Sequence, residues 1–473
     1  MWFSPELQRN LWLQLSWGRL VVAPVLSGIV VAALVASLAP HPNQMAEIAR
    51  GGFVLLLALW STRRVADSLA EEVGGGTWES QRMSGLSAWS MMWGKIVGGA
   101  SFPWYCALIC LGVMVWYGLQ AAPGEMRLPV WQQAATLLLG GILGQATALT
   151  VALILLRKVQ FRRRLTVTLA QIAGLLAFGM AVGWDYSANP WAAGVGTIHW
   201  FDRDYDAYQF YLASAGVFTA WALLAAWRLM RAELLYVNRP WMWTVFTLFF
   251  MAYAAGFVPW QTEALTSRLG AACIAGVALT YAAFFGEAKD PVRYRWGLAR
   301  FKALHWWRAL EFMPWWLISY VLAVIAGGIT IWSIAMGGQL LWQDTWLSML
   351  QRSLNLLALG SVNYIIVGLL LFVLRDMFFL LWLNFGKVRS RADLAGLAVL
   401  AIAYLPLPML LVGAGLAKFL PAVMPIAVGN LADIVWPAAE VVAMWFLLFL
   451  RWRQATRIEF ADNREEPSIN PPA

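Results

Sequence analysis

From Arg19 to Leu450 the chain is a succession of apolar stretches, most near the length an α-helix needs to cross a bilayer, separated by short polar turns. A bilayer core is about 30 Å thick, so a helix rising about 1.5 Å per residue spans it with roughly 20 residues. In hydrocarbon every backbone N–H and C=O must be paired within the segment, which leaves the helix as the form such stretches adopt. The sequence therefore predicts an all-α polytopic transmembrane helix bundle of about twelve spans. Composition agrees, because 61% of the 473 residues are hydrophobic and only 12% are charged, far from the balance of a soluble domain.

The spans fall at about residues 19–39, 51–61 with an extension towards Val65 or beyond, 95–119, 130–156, 165–183 and 210–227. They continue at about 241–258, 269–285, 314–336, 350–374, 394–412 and 434–450. With both termini cytoplasmic, most of the 34 Lys and Arg fall in cytoplasmic segments, the bias that fixes topology. The net charge of +9 then needs no nucleic acid as partner and leaves membrane lipid as the surface it meets. Residues 1–18 form an amphipathic elbow helix, with Leu7, Leu11, Leu15 and Gly18 at helical spacing and Gln8, Arg9 and Gln14 opposite. No small-residue cleavage site marks a signal peptide there. Most of the tryptophans lie near span ends, where an aromatic belt explains them. Cys106, Cys110 and Cys273 sit inside apolar stretches as packing residues, with no CxxC or disulfide framework.

The longest polar passage in the first third of the chain, Arg63 to Lys95, lies between two apolar runs and reads as a loop between membrane helices. Gly74, Gly75 and Gly76 break the incoming helix, and Thr77 is the expected N-cap of a new one. At helical spacing Trp78, Arg82, Gly85, Trp89 and Met92 share one side, and Glu79, Ser80, Met83, Ser87 and Ser90 fall mostly on another.

The run Glu71, Glu72, Gly76, Thr77, Trp78, Glu79, then Ser87, then Gly94 and Lys95 resembles a segment of ABC type 2 exporter permeases. In that segment an acidic pair precedes Gly-Thr and Glu, a Ser follows about eight residues on, and Gly-Lys opens the next membrane helix. The resemblance implies that these residues, with Trp89, form a coupling helix seated in a groove of a separate ABC ATPase subunit. It also implies an elbow helix before the first span and six spans per permease unit. Gly85 stands where the family commonly has Pro, and Gln81 and Arg82 replace apolar residues. The match is confined mainly to residues 1–230.

The implied domains are an elbow at 1–18, a six-span permease unit at 19–230 with its coupling loop at 63–95, and an extra transmembrane hairpin at 231–285. A basic interfacial segment at 286–312, a four-span second unit at 313–451 and a disordered cytoplasmic tail at 452–473 complete the chain. The second unit's inner loop carries Arg375, Asp376, Gly386 and Lys387 without the Gly-Thr-Glu core.

The sequence contains no GxxxxGK[ST] loop, and no HExxH, GxSxG or paired His and Cys arrangement, so it offers neither a phosphate loop nor a catalytic or metal site. The expectation is a non-catalytic permease of a bacterial inner membrane, without a cofactor of its own, ATP and Mg residing on the partner ATPase. It would work as a homodimer or a heterodimer, or through its two halves. Intramembrane polar residues carry the rival reading. Glu440, 11 residues before Arg451, could serve an ion-coupled secondary transporter, with Asn355 and Asn363 on a central path. A third reading is a non-transporting membrane scaffold.

Overall fold

The computed structural model describes residues 5–38, 41–121, 129–156, 163–186, 197–236, 238–258, 264–336, 362–386, 392–424 and 432–462. Among these, eleven helices are long and apolar enough to cross a membrane, and Trp241–Gly256 is a shorter apolar helix. The protein is an all-α polytopic helical membrane protein. It divides into two compact units, residues 1–198 with 204–238, and residues 199–203 with 239–473.

The first unit begins with α1 (Pro5–Gln14), breaks at Leu15 and Ser16, and enters the first span, α2 (Trp17–Leu38). His41 sits ahead of Pro42, whose fixed φ suits a first helical position, and α3 runs from Pro42 to Gly74 with a π-helical stretch at Leu55–Ser61. The predicted extension past Val65 runs as helix to Gly74, where the glycines expected to break it stand, and Val65, Ala66, Leu69 and Ala70 bury one face of it. The predicted span start at 51 is corrected: the helix opens at Pro42, and Arg50, expected outside, is buried beside Glu47 at 3.3 Å.

Two short helices follow, α4 (Thr77–Met83) and α5 (Ala88–Trp93), and a second π-helical stretch, Gly94–Gly98, leads into α6 (Ser101–Gly118). The remaining spans are α7 (Val130–Leu156), α8 (Arg163–Tyr186) and α9 (Ala207–Glu233). Helices α7 and α8 meet through glycines: a Cβ at Gly174 would stand 2.7 Å from the Gly144 carbonyl oxygen, so only the absence of side chains permits this approach. Phe53, Leu57, Met114, Leu137 and Phe178 form the core between these spans.

A two-stranded hairpin, β1 (Thr197–Trp200) and β2 (Arg203–Asp206), marks the boundary between the units, with Phe201 and Asp202 at positive φ in its tight turn. Asp206 caps α9 by accepting from the Gln209 amide at 2.9 Å.

The second unit contains α10 (Trp241–Gly256), α11 (Ala264–Gly286), α12 (Pro291–Lys302), α13 (Trp306–Ala309), α14 (Trp315–Ala335) and α15 (Val362–Asn384). It closes with α16 (Ala392–Tyr404), α17 (Pro406–Gly413) and α18 (Ala432–Asp462). The predicted extra hairpin packs within this unit, α10 on α11 and α11 on α14, where Gly276 brings the backbone close to Ala323. Phe284, Trp316, Val373, Met377 and Leu380 form its core. The segment expected to be interfacial contains α12, capped by Asp290, and α13, with Trp296, Leu298 and Phe301 exposed on α12. Two boundaries are corrected. Helix α15 continues to Asn384, so Arg375 and Asp376 lie inside a span and not in an inner loop, and α18 continues through Arg451 to Asp462, so the predicted tail begins as helix. Asn355 lies outside the described residues, and Asn363 falls in the first turn of α15.

Candidate functional site

The passage between the second and third spans is built around Lys95, whose side chain has 0% exposure. Its ammonium pairs with Glu72, in the last turns of α3, and with Glu6 of the elbow helix at 3.0 Å. Three elements are thereby pinned at one point, and a buried ammonium without such partners would be too costly to keep charged. Burial pushes the Glu6 carboxyl above its ordinary value, against the opposing pull of Lys95.

The elbow docks largely on its predicted face, with Leu7, Leu11 and Leu15 partly buried and Gln8 and Arg9 exposed. Polar contacts join that face: the Asn10 amide donates to the Gly94 carbonyl at 3.1 Å and the Gln14 amide, predicted to point away, to the Gly99 carbonyl at 2.6 Å. Trp12 and Leu13 point outward. A π-helical stretch disturbs the i to i−4 ladder, and these side chains supply partners to carbonyls at its two ends. Glycine is needed at the contact, since a Cβ at Gly98 would lie 2.8 Å from the Asn10 Cβ. The other π-helical stretch is served similarly, the Gln171 amide donating to the Leu59 carbonyl at 3.0 Å. Nearby, buried Gln145 accepts from the Trp104 indole at 3.0 Å and donates to Ser61. Sequence reasoning missed Glu6 and Gln145; a lone Gln in mid-span was the available signal for the latter.

The remaining predicted coupling residues sort by exposure. Glu71 pairs with Arg163 at 2.8 Å, tying the end of α3 to the start of α8. Gly76 adopts φ +70 ahead of α4, the left-handed conformation that favours glycine, and the Thr77 hydroxyl donates to the Glu72 carbonyl at 3.3 Å. The N-cap position thus belongs to Gly76 rather than Thr77. Trp78 is buried. Ser87 is the N-cap of α5, accepting from the Ser90 amide at 3.2 Å. Between α4 and α5 the chain turns at Gly85, φ +71. Proline, locked near −65°, cannot take that conformation, so the departure from the family's usual residue changes the turn. The single amphipathic helix predicted from Thr77 onward is accordingly two helices, and Met92, placed with Trp89, is buried while Trp89 is exposed. What faces outward is Glu79, paired with Arg82 at 3.0 Å, then Met83 at 86% exposure, and Trp89.

In the second unit a polar cluster crosses four helices. Arg375 donates to Glu440 at 2.6 Å, to one oxygen of Asp376 at 2.9 and 3.0 Å, and to the Tyr404 phenol at 2.9 Å. The other Asp376 oxygen accepts from Tyr281 at 2.6 Å and Tyr404 at 2.7 Å. Glu440 is therefore an ion-pair partner and not an isolated carboxylate. Arg375 and Asp376 were misplaced by a span drawn too early, and the two tyrosines carried no signal of their own. In the same unit Glu287 accepts from the Trp315 amide at 2.9 Å, and burial lifts its carboxyl to about 7. Among the described residues, no group of His, Cys, Asp and Glu gathers as a metal site would. No family model, curated protein or solved structure matches the chain.

Proposed function

We propose that this polytopic membrane protein is the membrane-spanning subunit of an ATP-driven ABC exporter in a bacterial inner membrane. In this reading a separate ATPase chain, carrying ATP and Mg, docks on the outward face of α4 and α5 and drives translocation. The observation that carries the proposal is the division of labour between Glu71 and Lys95. Glu72, Trp78, Gly94 and Lys95 are buried and hold the segment to the ends of α3 and α6, while Glu79, Met83 and Trp89 are left outward on two short helices. A segment so anchored can pass a push on its exposed face to two membrane helices and to the elbow.

Among the described residues the amide of Gln81 and the hydroxyl of Ser90 are buried without a hydrogen-bond partner, at a cost of about 1–3 kcal/mol each, so a docked arrangement that pairs them gains that much. The test is extraction from the native membrane with identification of bound chains and an ATPase assay. A nucleotide-binding subunit that co-purifies, and is lost with Glu79→Ala and Trp89→Ala, supports the proposal; a chain that purifies without ATPase refutes it.

The Arg375 cluster favours a second reading, an ion-coupled carrier. Two carboxylates share one guanidinium, and the surplus negative charge in an apolar span calls for a proton or cation. Glu440→Gln removes that surplus, so unchanged transport with unchanged pH dependence excludes this reading.

A further inference from the structure

The first span stands apart from its unit. Helix α2 buries none of its apolar window, and it meets α6 at few points, one being the Tyr105 hydroxyl donating to the Leu20 carbonyl at 2.9 Å. Between α2 and the facing α3 and α6 lies a groove of about 440 Å³. Its α2 wall runs from Arg19 through Ala23 to Ser27, and its α6 wall from Phe102 through Cys106 to Cys110. Arg19 is the one charged residue of the lining, and its guanidinium stands 5.8 Å from the Phe102 ring, so both walls start at the same level.

We infer that this groove binds one anionic phospholipid of the surrounding bilayer, its acyl chain between α2 and α6 and its phosphate on Arg19. The chemistry is stratified as an amphiphile requires. A cation sits at one end, and apolar side chains, two thiols and one hydroxyl line the next eight residues, about 12 Å of helix. The level of the cation is the level of the interface, since exposed Trp12 and Trp17 on either side of the elbow's end are the ring types that anchor there. An empty apolar groove open to hydrocarbon forfeits contacts on both walls, so a chain fills it. The Ser27 hydroxyl donates to the Ala23 carbonyl at 2.8 Å and makes no polar demand on that chain.

The test uses the full chain in nanodiscs of equal phosphatidylglycerol and phosphatidylcholine, followed by native mass spectrometry of the lipids retained on extraction. One phosphatidylglycerol held about fivefold over phosphatidylcholine is expected, falling to parity in Arg19→Gln. Ala23→Phe, which fills the groove, should lose both lipids. Parity in the native chain, or an unchanged preference in Arg19→Gln, overturns the inference, as does an Ala23→Phe variant that loses self-association and keeps its lipid. A second readout needs no substitution. Maleimide labelling of Cys106 and Cys110 should rise several-fold on delipidation and fall again when phosphatidylglycerol is restored, with buried Cys273 as the internal reference. Labelling indifferent to lipid also overturns the inference.

Discussion

The two units solve the same electrostatic problem, two carboxylates for one cation, in opposite settings. In the first unit Glu6 and Glu72 flank Lys95 where helices end, beside a π-helical stretch and close to glycines at positive φ. In the second, Asp376 and Glu440 flank Arg375 inside spans, with two tyrosines completing the coordination of Asp376. The difference is one of place. Around Lys95 the charges join helix ends: the last turns of the long α3, the elbow, and the π-helical stretch that leads into α6. Around Arg375 they tie four helices together, with Tyr404 at the end of α16 and Glu440 just after Pro437 of α18.

The largest expected effect breaks the second cluster. Asp376→Leu takes one counter-charge from Arg375 and the shared acceptor from the Tyr281 and Tyr404 phenols, at about 1–3 kcal/mol for each buried donor left unpaired. Loss of the monodisperse peak in size-exclusion chromatography should show it, and the double change Arg375→Met with Asp376→Leu should recover much of the peak. If the single change is harmless, the clamp is not structural. Lys95→Met should cost less, about 2 kcal/mol, because Glu6 can take up a proton when its cation is lost. Thermal unfolding followed at the tryptophans would measure the cost, and adding Glu6→Gln should return part of it.

Gly98→Val sharpens the contrast further, since the side chain displaces the elbow and leaves the spans. About 1–2 kcal/mol of overpacking is expected, read as faster proteolysis at Arg9 with little change in unfolding temperature. The smallest effect is pH dependence. Glu6 and Glu287 both have carboxyls raised by burial, so the folded state holds their protons more tightly than the unfolded state does. Their contribution to stability is full below the ordinary carboxylate value and is lost as pH rises, for Glu287 through about 7. Glu287→Gln should flatten a stability profile between pH 4.5 and about 7, and Glu6→Gln should flatten elbow protection from protease with the same sign.

The spans were legible in the sequence because a run of about 20 apolar residues has few other fates. Val130–Leu156 was placed without error. Errors came where a span carries charge: Arg50, and Arg375 with Asp376, were read as loop because hydropathy scores a buried ion pair as solvated surface. The coupling residues were legible as a pattern, yet their sorting into buried and outward sets was not. That sorting depends on Gly76 and Gly85 turning the chain and on Glu6 arriving from 89 positions upstream of Lys95, which no local periodicity records.

The central claim is that the outward face of α4 and α5 meets an ATPase. The most direct test places a photo-crosslinking residue at Met83, which is 86% exposed, and irradiates native membranes. The account predicts an adduct with a nucleotide-binding subunit from position 83, and none from a lipid-facing position such as Val35. An ATPase-free pattern at Met83, or equal adducts at both positions, would contradict it.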